Sequence, residues 1–339
     1  MMTKEFRLHG ANPEKLYTLF GLQMPGLVFD FSTNTNAVEQ RKGFSPDIRA
    51  ALEDYPDDEC IALRSLLSRI EGISQENILV TGGSNESIYL IASYEASREN
   101  LIFQPCYGEY LRALNNFGSR PLNIFDLNSS DIPANGTVWL CNPCNPTGEF
   151  IPDRQLIDLV TQHPDTLFIV DEAYRDFIWT EEIQLPCRIL RNVIRLRSLT
   201  KTYNLCGARI GYIIASAETT ERLKKRQPSW SVSNLAQQAA LFFIADETLL
   251  NRTREYYSLE MPRLISAVRE MGFTVLPTSV NYFLMSTDDD EKLIRFLLEH
   301  SIVVRHTRNF PGLDGKYVRI AARRRGENDL LIAALGAYQ

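Results

Sequence analysis

Two side chains in the middle of the chain are of types that could carry covalent chemistry. Asp171 closes the wholly apolar run 167–170, and Lys201 stands 30 residues later, just after another β-prone run and before a turn containing Gly207. A carboxylate at the end of a buried strand either caps a helix or serves a ligand; a lysine in such a place is either solvated or reactive. Further upstream, Gly82-Gly83-Ser84-Asn85 separates a β-prone run from a helical stretch, and helix amino termini suit anions. A lysine that condenses with an aldehyde, a carboxylate that keeps a ring nitrogen protonated and an anion cradle at a helix start are the parts that pyridoxal phosphate chemistry requires. Taken singly, each residue also has a structural reading as a cap or a turn residue.

The elements that must position these groups alternate along the chain. Short apolar runs at 78–81, 100–104, 137–141, 167–170, 193–197 and 209–215 read as strands, with helical stretches at 86–97, up to 117 and at 153–161 between them. Buried strands alternating with helices predict a mostly parallel sheet covered on both faces. Ligands in such sheets bind at the carboxyl ends of the strands, where Ser84, Tyr107, Asn145, Asp171 and Lys201 fall. After about residue 225 the character changes: a long helix at 251–272, with a disturbance at Pro262, then β-prone runs at 274–276 and 282–285, a helix at 292–300, a strand at 317–321 and a final helix at 327–337. That reads as a small α+β unit. No internal repeat or low-complexity tract is present.

The segments Asn142-Pro-Cys-Asn-Pro-Thr-Gly148, Asp171-Glu-Ala-Tyr174 and Ser198-Leu-Thr-Lys201 with Arg209 resemble, in type, order and spacing, the signature of fold-type I pyridoxal phosphate enzymes, the aspartate aminotransferase superfamily. The resemblance runs over nearly the whole chain. It implies an α/β fold with a large domain at 36–225, built on a mostly parallel seven-stranded sheet, and a small α+β domain formed by 1–35 and 226–339. It implies that Lys201 holds the cofactor aldehyde and shuttles a proton, and that Asp171 pairs with the pyridine nitrogen. Asn145 and Tyr174 would bind the ring hydroxyl oxygen, and Tyr107 would stack on the ring. Ser84, Asn85, Ser198, Thr200 and Arg209 would take the cofactor phosphate, for which a guanidinium suits better than an ammonium. Tyr55, in Tyr55-Pro56-Asp57, matches a family tyrosine that reaches the phosphate of the neighbouring subunit, which implies a homodimer with shared sites; the tripeptide alone fits a surface turn equally well.

Two branches of the superfamily compete, both acting on phosphorylated amino acids: the histidinol-phosphate aminotransferases and the L-threonine-O-3-phosphate decarboxylases of cobalamin biosynthesis. The early His9-Gly10, the run 30–36 with its Asn-x-Asn ending, Trp230-Ser-Val232 and the run 304–314 followed by Tyr317-Val-Arg319 are more similar to the decarboxylases. Ala37 stands where the family has proline, the stretch 39–42 is charged or amidic, and Cys144 occupies the variable place of the Asn-Pro-x-Asn motif. The resemblance implies that Arg319 clamps the substrate carboxylate, as a bidentate fork does. Arg305 is the first candidate for the substrate phosphate, with His9 and Ser32 as helpers, whereas Arg323-Arg324-Arg325 reads as a solvated face. Orientation about one bond would then decide whether carbon dioxide or a proton leaves the α-carbon, so decarboxylation of O-phospho-L-threonine to (R)-1-aminopropan-2-yl phosphate and amino transfer both stay open. A non-catalytic binding protein on the same fold would have lost Lys201 or Asp171, and both are present.

The bulk properties agree with a globular enzyme. The chain has 339 residues, 44% hydrophobic and 23% charged, and 36 basic against 42 acidic residues leave a net charge of −6. That balance lacks the basic footprint of a nucleic-acid binder. No apolar run approaches the length of a membrane span, and the amino terminus lacks the apolar core of a signal peptide, so a cytoplasmic protein is expected. Six cysteines are too sparse for a disulfide scaffold. Cys141 and Cys144 have C-x-x-C spacing but no second pair completes a zinc site, and Pro143 and Pro146 break the helix a redox motif would open.

Overall fold

The computed structural model describes residues 10–127, 132–180 and 187–338. In chain order its strands are β1 (Phe29–Asp30), β2 (Ile78–Thr81), β3 (Asn100–Phe103), β4 (Leu122–Ile124), β5 (Thr137–Cys141), β6 (Leu167–Asp171), β7 (Val193–Ser198), β8 (Gly211–Ile214), β9 (Tyr282–Ser286), β10 (Ile302–Val303), β11 (Arg305–His306) and β12 (Tyr317–Ala321). Seven of them form one sheet in the order β2-β8-β7-β6-β5-β3-β4. Every neighbouring pair is parallel except those made by β8, which runs against both β2 and β7.

Side-chain parity on the central strands explains both the covering layers and the aim of the site. β5 and β6 are buried along their whole length, as strands covered on two faces must be. Alternate residues go to opposite faces. Val138, Leu140, Phe168 and Val170 join one apolar cluster with Leu156 and Val160 of the helix Asp153–Gln162. Trp139, Cys141, Leu167 and Ile169 join another with Ile88 and Ile91 of the helix Ser84–Glu95 and with Tyr110 and Ala113 of the helix Glu109–Asn116. Asp171 continues the parity of Leu167 and Ile169, so the carboxylate at the end of β6 turns toward the face that carries Tyr110. A third cluster joins β2 and β8 to the helices Ile61–Glu71 and Asn234–Ile244.

The remaining strands make an antiparallel three-stranded sheet, β11-β12-β9, and a parallel pair, β1 with β10. Tyr17, Phe20 and Phe31 from the start of the chain share one core with Tyr257, Leu264, Val318 and Ile320 from its end. Phe31 is tied by two backbone hydrogen bonds, its amide to Val303 at 2.8 Å and its carbonyl to the Ala321 amide at 2.9 Å. These bonds bring the run 30–36 against β12.

One strand was missed by the sequence reading and two local expectations are corrected. β4 carries little sequence signal: three residues on a sheet edge, with Leu122 57% exposed, are too few for their Leu-Asn-Ile alternation to mark a strand. The β-prone run 274–276 shrinks to one bridge between Val275 and Met285. The long helix Leu249–Glu270 passes through Pro262 without a break; Pro262 and Ser258 four residues before it are both exposed, so the carbonyl that loses its amide partner lies on the solvent side. Among the described residues no helix is long and apolar enough to cross a membrane.

Candidate active site

A cavity of about 230 Å³ opens at the carboxyl ends of the large sheet. Ser32, Ser84, Asn85, Tyr107, Asn145, Asp171, Tyr174, Ser198, Thr200, Lys201, Arg209, Arg305 and Arg319 all line it. Residues separated by almost three hundred positions in the chain thus meet, because strand order places the ends of β5, β6 and β7 side by side and the small sheet faces them. Tyr55 does not line the cavity: it is 79% exposed and packs against Trp230, ring centroids 4.7 Å apart. His9 lies outside the described residues. Arg323 to Arg325 are not among the lining groups either; Arg324 and Arg325 are exposed at the start of the last helix.

One end of the cavity is built for an anion. Gly83, at φ +89°, is the residue before the helix Ser84–Glu95, so the first helical amides open toward the space. A Cβ on Gly83 would lie 2.9 Å from Arg209 Nη2, and one on Gly211 would lie 2.6 Å from the Arg197 carbonyl oxygen and 3.0 Å from the Ser84 nitrogen. Glycine at these two places lets Arg209 and the strand β8 approach the helix start. Arg209 itself sits in the left-handed region, φ +55°, and its Nη1 donates to the Cys206 carbonyl at 3.0 Å. Ser198 and Thr200 hydroxyls share a hydrogen bond of 2.7 Å beside it. The loop is braced from behind, where the Glu86 carboxylate accepts from the Gly82 amide.

The other end holds the groups suited to a ring. Asp171 is 4% exposed; its Oδ2 accepts from the Tyr110 hydroxyl at 2.7 Å and its Oδ1 from the Ala173 amide at 3.0 Å. Burial raises its pKa to about 6, against the pull of these two hydrogen bonds. The next residue faces another way. Glu172 binds Arg195 at 2.5 Å and Arg197 at 3.3 Å, with Arg175 at 3.7 Å; although burial alone would raise its pKa, these guanidinium groups hold it below the usual range. Burial pushes the Lys201 amine below the usual lysine range, with the Arg319 and Arg209 charges acting in the same direction. Asn34 Nδ2 donates to the Tyr174 hydroxyl at 2.8 Å, which leaves the phenolic proton for another acceptor. The Tyr107 hydroxyl donates to Asn85 Oδ1 at 3.2 Å.

Two arginines face this ring site from the small sheet. Arg305 and Arg319 are register partners across β11 and β12 and are 3% and 5% exposed; residues directly opposite in an antiparallel pair project to the same side. Arg319 donates to Asn145 Oδ1 and, at 2.7 Å, to the Ser32 carbonyl. Arg305 pairs with His306 Nε2, donates to Asn309 Oδ1 at 2.6 Å, and stands 5.5 Å from the Phe310 ring centroid. The Ser32 hydroxyl donates to Asp30 Oδ1 at 2.6 Å and accepts from the Ala11 amide at 3.1 Å.

This donor set fits a pyridine ring that carries an aldehyde and a phosphate. The helix start with Arg209, Ser198 and Thr200 offers donors to a phosphate, Asp171 a carboxylate to a ring nitrogen, Asn145 and Tyr174 donors to a ring oxygen, and Lys201 an amine to an aldehyde. Sequence reasoning gave no role to Tyr110, Asn34, Cys141 or Phe310. Tyr110 had a signal, since it lies three residues after Tyr107 and so about one helical turn on, but nothing in the chain said which strand end it would meet. All six cysteines carry free thiols.

The model of the family "Aminotransferase class I and II" matches residues 28–335. The chain is 32% identical to the threonine-phosphate decarboxylase of Salmonella typhimurium, over 96% of this chain and 95% of that one. It is 29% identical to a histidinol-phosphate aminotransferase of Moorella thermoacetica, over 91% and 84% of the two chains. Among solved structures, the histidinol-phosphate aminotransferase from Clostridium acetobutylicum superposes with a TM-score of 0.83 at 25% identity, over 91% of this chain and 98% of that one. The chain belongs to the class I and II aminotransferase family, and its fold is that of the fold-type I pyridoxal phosphate enzymes.

Proposed function

We propose that the protein binds pyridoxal 5′-phosphate in this cavity and decarboxylates a small phosphorylated amino acid, O-phospho-L-threonine first among them, to an amino-alcohol phosphate. The observation that carries this reading is the pair Arg305 and Arg319. Two cations side by side under little solvent oppose one another, and burial together with the Arg319 charge brings the Arg305 pKa down to about 9. A substrate with two separate anionic groups relieves both effects. A carboxylate on Arg319 and a phosphate on Arg305 meet that demand, and guanidinium forks suit both anions. Histidinol phosphate has one such group and would engage one arginine at a time, whereas the two carboxylates of 2-oxoglutarate, the acceptor in amino transfer, would also occupy both, so the choice of reaction rests on the product test.

When bound, the cofactor supplies an aldehyde for the substrate amine and a protonated ring that takes up the electron pair of the bond that breaks. The chain's residues do the rest. Asn145 accepts from Arg319 through its Oδ1 and would donate from its amide to the ring oxygen, so the substrate carboxylate would be positioned against the same frame as the ring. Arg319 would hold and orient the substrate carboxylate, and Lys201 Nζ would deliver the proton that replaces carbon dioxide at the α-carbon. In amino transfer the same amine would instead remove the α-proton. Asp171 would hold its charge against the protonated ring nitrogen.

The test is product analysis by mass spectrometry after mixing the cofactor-loaded protein with O-phospho-L-threonine and no keto acid. Carbon dioxide and an aminopropanol phosphate are expected. Silence there, with amino transfer from histidinol phosphate to 2-oxoglutarate, would move the protein to the aminotransferase branch. Arg305→Met is expected to raise KM for phosphothreonine about 100-fold, the loss of roughly 3 kcal/mol from a buried charge-assisted contact, while leaving cofactor binding intact.

A further inference from the structure

We propose that Tyr110 is a positioning residue for the cofactor ring: by donating its hydroxyl to Asp171 it keeps that carboxylate ionised and aimed, and so keeps the ring nitrogen protonated. The inference rests on the reading of the cavity as a pyridoxal phosphate site. Tyr110 is 1% exposed, the second residue of the helix that follows Tyr107, and does not itself line the cavity. Its ring is fixed by Trp139, tilted at 5.9 Å between centroids, and by the edge of Tyr107 at 6.0 Å. Trp139 is anchored in turn by its Nε1, which donates to Asn100 Oδ1 at 3.0 Å. The phenol therefore reaches Asp171 Oδ2 from a direction set by the core, not by the ligand.

The chemistry follows from what each partner is able to do with its proton. Burial pushes the Tyr110 phenol far above the ordinary tyrosine range, with the Asp171 charge acting in the same direction, so Tyr110 stays protonated and acts toward the carboxylate as a donor. A buried carboxylate with two donors, Tyr110 on Oδ2 and the Ala173 amide on Oδ1, is held toward its charged form. The remaining ionisable groups around it are Glu172, Lys201, Cys106, Cys141, Tyr107 and Tyr174. Burial raises both thiols and both phenols, which keeps them neutral, and Glu172 is taken up by its arginines. With Lys201 engaged on the aldehyde, Tyr110 is, among the described residues, the side-chain donor left to set the basicity of Asp171. A more basic Asp171 would draw the shared proton away from the ring nitrogen and weaken the ring as an electron acceptor.

The test uses the holoenzyme loaded with cofactor carrying ¹⁵N in the ring. Tyr110→Phe keeps the packing and removes only the donor. It is expected to move the ring ¹⁵N resonance toward the neutral pyridine value and to shift the acid limb of cofactor retention upward by about one pH unit, the size expected for one hydrogen bond to a charged group. Tyr110→3-fluorotyrosine, a stronger donor, is expected to move both in the opposite direction, and it carries the test alone should the phenylalanine variant fold poorly. Unchanged resonance and acid limb in these variants, with both displaced in Asp171→Asn, would overturn the role of Tyr110 and leave the cavity reading in place. A resonance that Asp171→Asn also fails to move would remove the cavity reading and this inference together.

Discussion

Asp171 is the residue on which burial and function pull hardest against each other. Its pKa is raised to about 6 by burial, so the native chain without cofactor binds a proton there more readily than the unfolded chain. Stability from this group is therefore present at low pH and lost as pH rises from about 4 to 6. At roughly 1.4 kcal/mol per pH unit the cost of the ionised form above pH 6 is about 3 kcal/mol. Asp171→Asn is expected to raise the melting temperature of the cofactor-free protein at pH 8, with the gain vanishing near pH 4; a variant equally stable at both pH values would show that the carboxylate is not strained. The same substitution should weaken cofactor binding, since the ring nitrogen loses its charge partner. Lys201→Ala is expected to abolish the visible absorbance of the loaded protein, and a cofactor that borohydride still fixes to the chain would place the amine elsewhere.

At the scale of elements, the phosphate cradle depends on how closely a strand and a helix start approach. Gly83 has a positive φ, and any side chain there meets Arg209. Gly83→Ala is expected to cost about 1–3 kcal/mol of stability from a backbone conformation that is essentially confined to glycine and to loosen cofactor binding about tenfold, measured by equilibrium dialysis; unchanged binding would mean that the cradle adapts. Elements buried on both faces were legible in the sequence, because β5 and β6 consist of nearly continuous apolar runs. β4, exposed at a sheet edge, and the two-residue strands β1, β10 and β11 left no such trace, since pairing partners rather than composition make them strands. The helix through Pro262 was legible as one helix, and it runs on without a break because the carbonyl that the proline deprives lies on the solvent side.

For the whole molecule, the open question is what covers the surface around Tyr55. Tyr55 and Trp230 stack while 79% and 51% exposed, and Leu52 and Ile48 on the preceding helix are 75% and 51% exposed. We propose that a second copy of the chain covers this apolar patch and that Tyr55 reaches the partner's cofactor phosphate. Light scattering is expected to give twice the chain mass. Tyr55→Ala should loosen cofactor binding severalfold without lowering the melting temperature of the cofactor-free protein. Scattering at the mass of one chain, or full binding in the variant, would reduce Tyr55 to a surface turn.

Asp171, Lys201, Arg209 and the Asn142–Gly148 run were readable from the chain because each is tied to a local signal: a strand end, a fixed spacing, a turn. Their aim was not. Whether Asp171 meets Tyr110, and Glu172 three arginines, depends on strand parity and on which helix covers which face. The same holds for Arg305 and Arg319, placed side by side by the pairing of β11 with β12, and for Ser32, brought to Arg319 from the far end of the chain. Composition and periodicity act over a few residues, and they suffice to choose elements and mark the ends that carry chemistry. Only packing across the sheet and between the chain termini decides which charges share a cavity, because burial and proximity, which set their protonation, exist only once the chain has folded.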